Sequence, residues 1–73
     1  MFSSNEIEFE LSEDYIELIK LLKLLNLVES GADAKIAVEE GEVKFNNETE
    51  YRKRKKLRSG DKVEFNGDLI HII

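Results

Sequence analysis

Apolar residues in this chain change their spacing along the sequence, from alternation to helical periodicity and back to alternation. Between residues 6 and 11, glutamates alternate strictly with Ile7, Phe9 and Leu11, which predicts a half-buried strand with an acidic outer face. Ser12 follows as a candidate N-cap for a first helix. The predicted core face of this helix consists of Tyr15, Leu18, Ile19, Leu22 and Leu25.

The second half of the chain contains clear stop and turn signals. Asn26 tolerates the left-handed conformation that ends helices, so it is expected to close the first helix. The capping pattern Ser30-Gly31-Ala32-Asp33 predicts a second helix from about Gly31 to Glu40, with Gly41 as its stop. Short alternating strands follow, and the expected turns between them are Asn46-Asn47, Ser59-Gly60-Asp61 and Asn66-Gly67. The order strand, helix, helix, strands predicts an α+β fold.

Length and composition limit how such a fold can be stabilised. With 73 residues and no cysteine, the chain is expected to form a single domain over residues 1–73 without a disulfide or a thiolate zinc site. One apolar core must therefore stabilise it. The longest apolar-rich stretch, residues 15–28, is too short and too charged to span a bilayer. The start of the chain lacks the basic region of an export signal. A cytoplasmic location without membrane contact is expected.

Charge is distributed unevenly along the chain. The net charge is −5, and residues 1–17 hold six acidic residues and no basic one. Residues 52–58, called the basic segment below, hold six of the eleven basic residues and no acidic one. Salt screens charges beyond about 8 Å, so a local cluster attracts polyanions despite an acidic total. A solvated edge would also explain the cluster, but its three arginines favour phosphate binding. If the segment is extended, Leu57 is expected to turn inward.

No constellation of side chains in the sequence indicates catalysis. The single histidine, His71, lies in an apolar strand without a neighbouring nucleophile motif. The carboxylates lie on predicted solvated faces or helix ends, and the isolated glycines form no phosphate-binding loop. We therefore expect a binding module without enzymatic activity, cofactor or metal ion.

An ordered set of residues resembles the S-four RNA-binding domain, which is named after the fourth ribosomal small-subunit protein and is also called the alpha-L motif. The match extends over about residues 16–66. The matching positions are Leu18, Asn26, Ser30-x-x-x-Ala34-Lys35, Gly41-x-Val43-x-Phe45-Asn46-Asn47 and Leu57-x-x-Gly60-Asp61-x-Val63. The strings Ser30-Gly31-Ala32-x-Ala34-Lys35 and Arg52-Lys53-Arg54-x-Lys56 are most similar to those of small, stand-alone bacterial members.

The resemblance implies two packed helices against a small, mainly antiparallel sheet, and binding of structured RNA, either ribosomal or transfer RNA. Many members carry arginines where this chain has Glu17 and Gly31, so the cations of the basic segment are expected to replace them. The predicted RNA-binding residues are Arg52, Lys53, Arg54, Lys56, Lys35 and Lys23. An alternative is a protein-interaction module in which the basic segment binds an acidic partner protein, or the acidic strand of a second copy.

Overall fold

Nine short elements build the part of the chain that the computed structural model describes, residues 5–73. The helices are α1 (Leu18–Leu24) and α2 (Gly31–Glu39). The strands are β1 (Asn5–Phe9), β2 (Ile16–Glu17), β3 (Val43–Phe45), β4 (Glu48–Thr49), β5 (Lys56–Leu57), β6 (Lys62–Phe65) and β7 (Asp68–Ile72). The predicted single domain includes residues 1–4, which lie outside the described residues.

Five of the strands form one sheet in the order β1-β7-β6-β3-β4. The β1–β7 pair is parallel and the other three pairs are antiparallel. β2 and β5 form a separate antiparallel pair, in which Ile16 lies opposite Leu57. The predicted α+β class, with two helices and a mainly antiparallel sheet, is confirmed.

One apolar core lies between the helices and the inner face of the sheet. Alternation along β6 and β7 turns Val63 and Ile70 inward, where both are fully buried, while Glu64 and Leu69 point to the uncovered face. The helices contribute buried leucines and small residues to the same cluster. The fully or largely buried helix residues are Leu18, Leu21, Leu22, Ala34, Ala37 and Val38.

The local signals at the start of α2, at the ends of both helices and at the turns are confirmed. The Ser30 hydroxyl accepts a hydrogen bond from the Asp33 backbone N–H at 3.2 Å, as an N-cap of α2 does. Asn26 and Gly41 end the two helices with φ of 59° and 75°. The turn residues Asn46, Asn47, Asn66 and Gly67 also have positive φ, between 49° and 88°.

The start of the first helix was predicted wrongly. The helix does not follow Ser12 but begins at Leu18, because residues 16–17 pair with the basic segment as a strand. Tyr15 therefore lies before the helix and is 37% exposed instead of forming its core face. The fully buried Leu21 belongs to that face instead.

The basic segment is extended only in part. Its first residues form a tight turn in which the Lys55 N–H donates to the Arg52 carbonyl at 3.2 Å, and only Lys56–Leu57 is a strand. Leu57 is fully buried, so its predicted inward orientation is confirmed. No helix within residues 5–73 is both long and apolar enough to cross a membrane.

Candidate functional site

The basic segment is held against the N-terminus of α1 by its own backbone. The Lys55 carbonyl accepts a hydrogen bond from the Leu18 N–H at 2.9 Å, and the Lys53 carbonyl accepts one from the Ile19 N–H at 3.2 Å. These bonds satisfy two of the N–H groups that a helix leaves unpaired in its first turn. Together with the β2–β5 pair and the buried Leu57, they fix the segment's position.

A shallow depression opens where the basic segment faces solvent. Among residues 5–73, every residue that lines it is a cation: Arg52, Arg54, Lys55, Lys56 and Arg58. Five positive side chains around one concave surface repel each other unless an anion or solvent lies between them. The depression therefore has the charge and shape to receive the backbone phosphates of a polyanion.

Arg52 binds an acidic residue within the fold. Its Nε and Nη2 donate to the two carboxylate oxygens of Glu50 at 2.9 and 3.1 Å, and its backbone N–H also donates to that carboxylate at 2.9 Å. Glu50 is buried, and the hydrogen bond from the Arg52 side chain holds the pKa of Glu50 below its usual value, although burial opposes this shift. Arg52 thus anchors the segment while its side chain stays 70% exposed.

Lys53 connects the basic segment to α2. Its ammonium group forms a salt bridge with the Glu39 carboxylate at the end of that helix. Lys35 lies four residues before Glu39 and hence on the same side of α2, and it is exposed. The side of α2 that carries Lys35 therefore faces the same region as the basic segment.

Arg54, Lys56 and Arg58 form no salt bridge with a carboxylate in the part of the chain that the structure describes. Lys56 and Arg58 instead contact the ring of Tyr15, with the Lys56 Nζ 4.8 Å and the Arg58 Cζ 5.8 Å from its centroid. Lys55 lies 4.8 Å over the ring of Phe45 in the same way. Cation–π contacts of this kind orient long side chains without neutralising them.

Lys23 lies away from this cluster. It is in the last turn of α1, whereas the basic segment contacts the first turn, and the helical rise separates Lys23 from Leu18 by about 7.5 Å. Lys23 lines a different shallow depression with Lys20, Leu24 and Asn26. The structure therefore brings the predicted residues of the basic segment together. Lys35 lies on the side of α2 that faces this segment, and Lys23 is separated from it.

Sequence reasoning missed three residues of this surface. Arg58 and Lys55 belong to the basic segment and line the depression, so their positions in the sequence were enough to predict them as binding residues. Tyr15 had no such signal, because about forty residues separate it from its cationic neighbours. Within the described residues no group of three His, Asp or Glu side chains could hold a metal ion.

Comparisons with known proteins show which family the chain resembles. The model of the S4 domain family matches residues 9–73. Two relatives, the YbcJ proteins of Escherichia coli (strain K12) and of Shigella flexneri, are each 46% identical to this chain over 59 residues. These residues cover 81% of this chain and 84% of each relative. The E. coli protein is named as a candidate RNA-binding protein.

A solved structure has a similar fold. The solution structure of E. coli YbcJ, described as revealing an alfaL motif involved in RNA-binding, has a TM-score of 0.72 and 42% identity, and the match covers 100% of this chain and 94% of that one. The two packed helices and the mainly antiparallel sheet are thus those of the alpha-L motif. The chain belongs to the S4 domain family.

Proposed function

We propose that this protein is a non-catalytic RNA-binding protein that binds structured RNA, ribosomal or transfer RNA, through the phosphates of its backbone. The observation that carries the proposal is the depression whose lining, within the described part of the chain, consists of five cations. Membership of the S4 domain family and the RNA-binding description of the E. coli YbcJ structure support it. The proposed location is the cytoplasm.

The fixed backbone of the basic segment makes phosphate binding favourable. A flexible basic tail loses conformational entropy when it binds, and this loss weakens binding. Here the hydrogen bonds to Leu18 and Ile19 and the buried Leu57 have already ordered the segment in the free protein. The cations therefore keep their spacing without the RNA, and less ordering remains to be done on binding.

The cations have different proposed roles. Arg54 and Lys56 contact phosphates directly, since neither is paired with a carboxylate among residues 5–73. Arg52 and Lys53 hold the segment to Glu50 and to α2 and use their remaining donors toward the RNA. Further contacts come from Lys35 on α2, with Lys23 giving weaker, longer-range attraction.

The departures from the family pattern fit a binding surface centred on the basic segment. Glu17, at a position where many members carry an arginine, lies in β2 directly opposite Lys56. Gly31, the other departure, is the first residue of α2. We propose that the cations of residues 52–58 replace these two arginines, which shifts the RNA from the starts of the helices toward the segment.

Salt dependence tests the proposal. The assay is fluorescence anisotropy of a labelled RNA hairpin, titrated with the full chain at several salt concentrations. Each phosphate contact contributes about −0.7 to −0.9 to the slope of log K against log salt, so four contacts predict a slope of roughly −3 to −4. An affinity that does not change with salt would contradict electrostatic binding.

A pair of double variants locates the surface. Arg54→Ala with Lys56→Ala is expected to weaken binding at least tenfold and to reduce the slope by about two. The matched control, Lys44→Ala with Lys62→Ala, removes the same charge from the uncovered face of the sheet, where both lysines are exposed. Equal losses in both variants would show that only net charge matters.

Competition distinguishes the alternative function. An acidic polypeptide such as polyglutamate, added in charge excess, is expected to displace the RNA only weakly, because a flexible chain loses conformational entropy when it binds, whereas a structured RNA already holds its phosphates in place. Displacement at equal charge concentration, together with RNA affinity no greater than that for polyglutamate, would favour an acidic protein partner.

A further inference from the structure

A second concave surface adjoins the cationic depression. It is a groove between the loop of residues 10–15, which connects β1 to β2, and the exposed side of α1. Its walls include the apolar side chains of Leu11, Tyr15 and Leu24 together with polar groups. Glu13 and Lys20 also line it, so the charged groups of the groove have opposite signs.

Tyr15 connects the two surfaces, because it lines the groove and contacts two cations of the depression. One part of the side chain lines the groove, and its ring contacts Lys56 and Arg58 of the cationic depression at 4.8 and 5.8 Å. After these contacts Tyr15 is still 37% exposed, and Leu24 on the opposite wall is 56% exposed. Large apolar side chains left in water beside a phosphate-binding surface indicate a site for an apolar group attached to a phosphate.

The charges of the groove decide which part of a nucleic acid fits. A phosphate would be repelled by the Glu13 carboxylate, whereas no described residue that lines the depression beyond Tyr15 carries a carboxylate. A neutral, flat nucleobase suits apolar walls, and the carboxylate and ammonium groups can accept and donate hydrogen bonds at its edge. Unpaired bases in RNA are commonly bound in this way, by stacking on aromatic side chains.

We infer that the groove binds one unpaired nucleotide of the RNA, with its base against Tyr15 and Leu24 and its phosphate on Lys56 and Arg58. This inference rests on the proposed function and adds to it the feature of the RNA that the protein selects. A base in a paired helix is stacked within the duplex and cannot enter the groove. The protein therefore prefers a bulge or a junction next to a duplex over a continuous duplex.

The test compares two RNA duplexes that differ only by one bulged nucleotide, labelled with fluorescein and titrated with the full chain at one salt concentration. The bulged duplex is expected to bind about five- to tenfold more tightly, in line with stacking of one base on an aromatic ring. With 2-aminopurine as the bulged base, binding is expected to change its fluorescence. The preference is measured as the ratio of the two dissociation constants, so a general loss of phosphate contacts cancels.

Variants of the two walls test the assignment. Tyr15→Leu is expected to abolish the preference and Tyr15→Phe to keep it, because Phe retains the ring. Leu24→Gln is a second, independent variant on an exposed helix position and is expected to reduce the preference. Thermal unfolding of each variant checks that the fold is unchanged.

The outcomes separate this inference from the proposed function. Equal binding of both duplexes by the parent protein, or a preference that survives both Tyr15→Leu and Leu24→Gln, would overturn the nucleotide site while leaving RNA binding intact. If neither duplex binds, both the proposed function and this inference are wrong. Loss of the preference in Tyr15→Leu with its retention in Tyr15→Phe supports the site.

Discussion

Leu57 and its cationic neighbours offer the sharpest separation of folding from binding in this protein. Leu57, the last but one residue of the basic segment, is fully buried opposite Ile16, while Arg54 and Lys56 on the same segment are exposed. Neighbouring positions of one short segment thus have opposite environments. Truncating the buried residue is expected to destabilise the fold, and truncating the exposed ones is expected to weaken RNA binding without changing stability.

The expected magnitudes differ by several-fold. Replacing a fully buried leucine with alanine lowers the free energy of unfolding by about 2–5 kcal/mol. For a domain of this size the whole free energy of unfolding is roughly 4–11 kcal/mol, and 1 kcal/mol shifts the melting temperature by about 4–8 °C. Leu57→Ala should therefore melt at least about 8 °C lower than the parent. Surface substitutions usually change stability by less than about 0.5 kcal/mol each.

Two measurements on each variant test this expectation. Thermal unfolding is followed by circular dichroism, and RNA affinity is measured at fixed salt and at a temperature where every variant is folded. Arg54→Ala with Lys56→Ala should melt within a few degrees of the parent and bind RNA weakly. If this double variant unfolds, the basic segment is a structural element and the proposed interface is wrong. A Leu57→Ala protein that melts with the parent would refute the packing argument.

Three further predictions follow from single positions. The hydrogen bond from Arg52 lowers the pKa of Glu50 from its usual value of 4.5. The stability that the Glu50 carboxylate contributes is therefore fully present above pH 4.5 and is lost as the pH falls through the lowered pKa of the folded protein. In urea unfolding, the difference in midpoint between the parent and Glu50→Gln should therefore shrink as the pH falls from about 5 to about 3, and a constant difference would contradict the ion pair. Gly41→Ala should lower the free energy of unfolding by about 1 kcal/mol or more, because φ is +75° there and the new Cβ would lie 3.1 Å from a tyrosine hydroxyl. The control is Gly31→Ala at the start of α2, where the space around the new Cβ is open. This control should be neutral or stabilising in the same measurement. Lys35→Glu should weaken RNA binding several-fold in the anisotropy assay, and unchanged affinity would confine the interface to the basic segment.

Conformations set within a few residues were predictable from the sequence alone. Asn26 and Gly41 end their helices because few other residues adopt positive φ at low cost, and this preference does not depend on distant contacts. The Ser30 cap of α2 depends on a hydrogen bond that spans three residues. Strict alternation placed β1 for a similar reason, since only period two keeps Ile7 and Phe9 on one face.

The candidate site was predictable in composition but not in arrangement. A run of six cations identified the basic segment, and its single apolar residue, Leu57, identified the inward position. Which cations pair with acidic side chains was not visible in the sequence. Glu39 is far from Lys53 along the chain, and only the packing of α2 beside the segment brings the two together.

Tertiary structure alone decided where the first helix begins and what Tyr15 does. Ser12 offered a local cap, but pairing of Ile16 with Leu57 buries two large apolar side chains, and the carbonyls of the basic segment satisfy the N–H groups of the first turn of α1. Burial of this size outweighs one capping hydrogen bond, which contributes only about 1 kcal/mol. The same long-range pairing moves Tyr15 out of the core and sets it beside Lys56 and Arg58. The groove and the cationic depression adjoin each other because two segments about forty residues apart pack together, and the local sequence of neither segment contains that information.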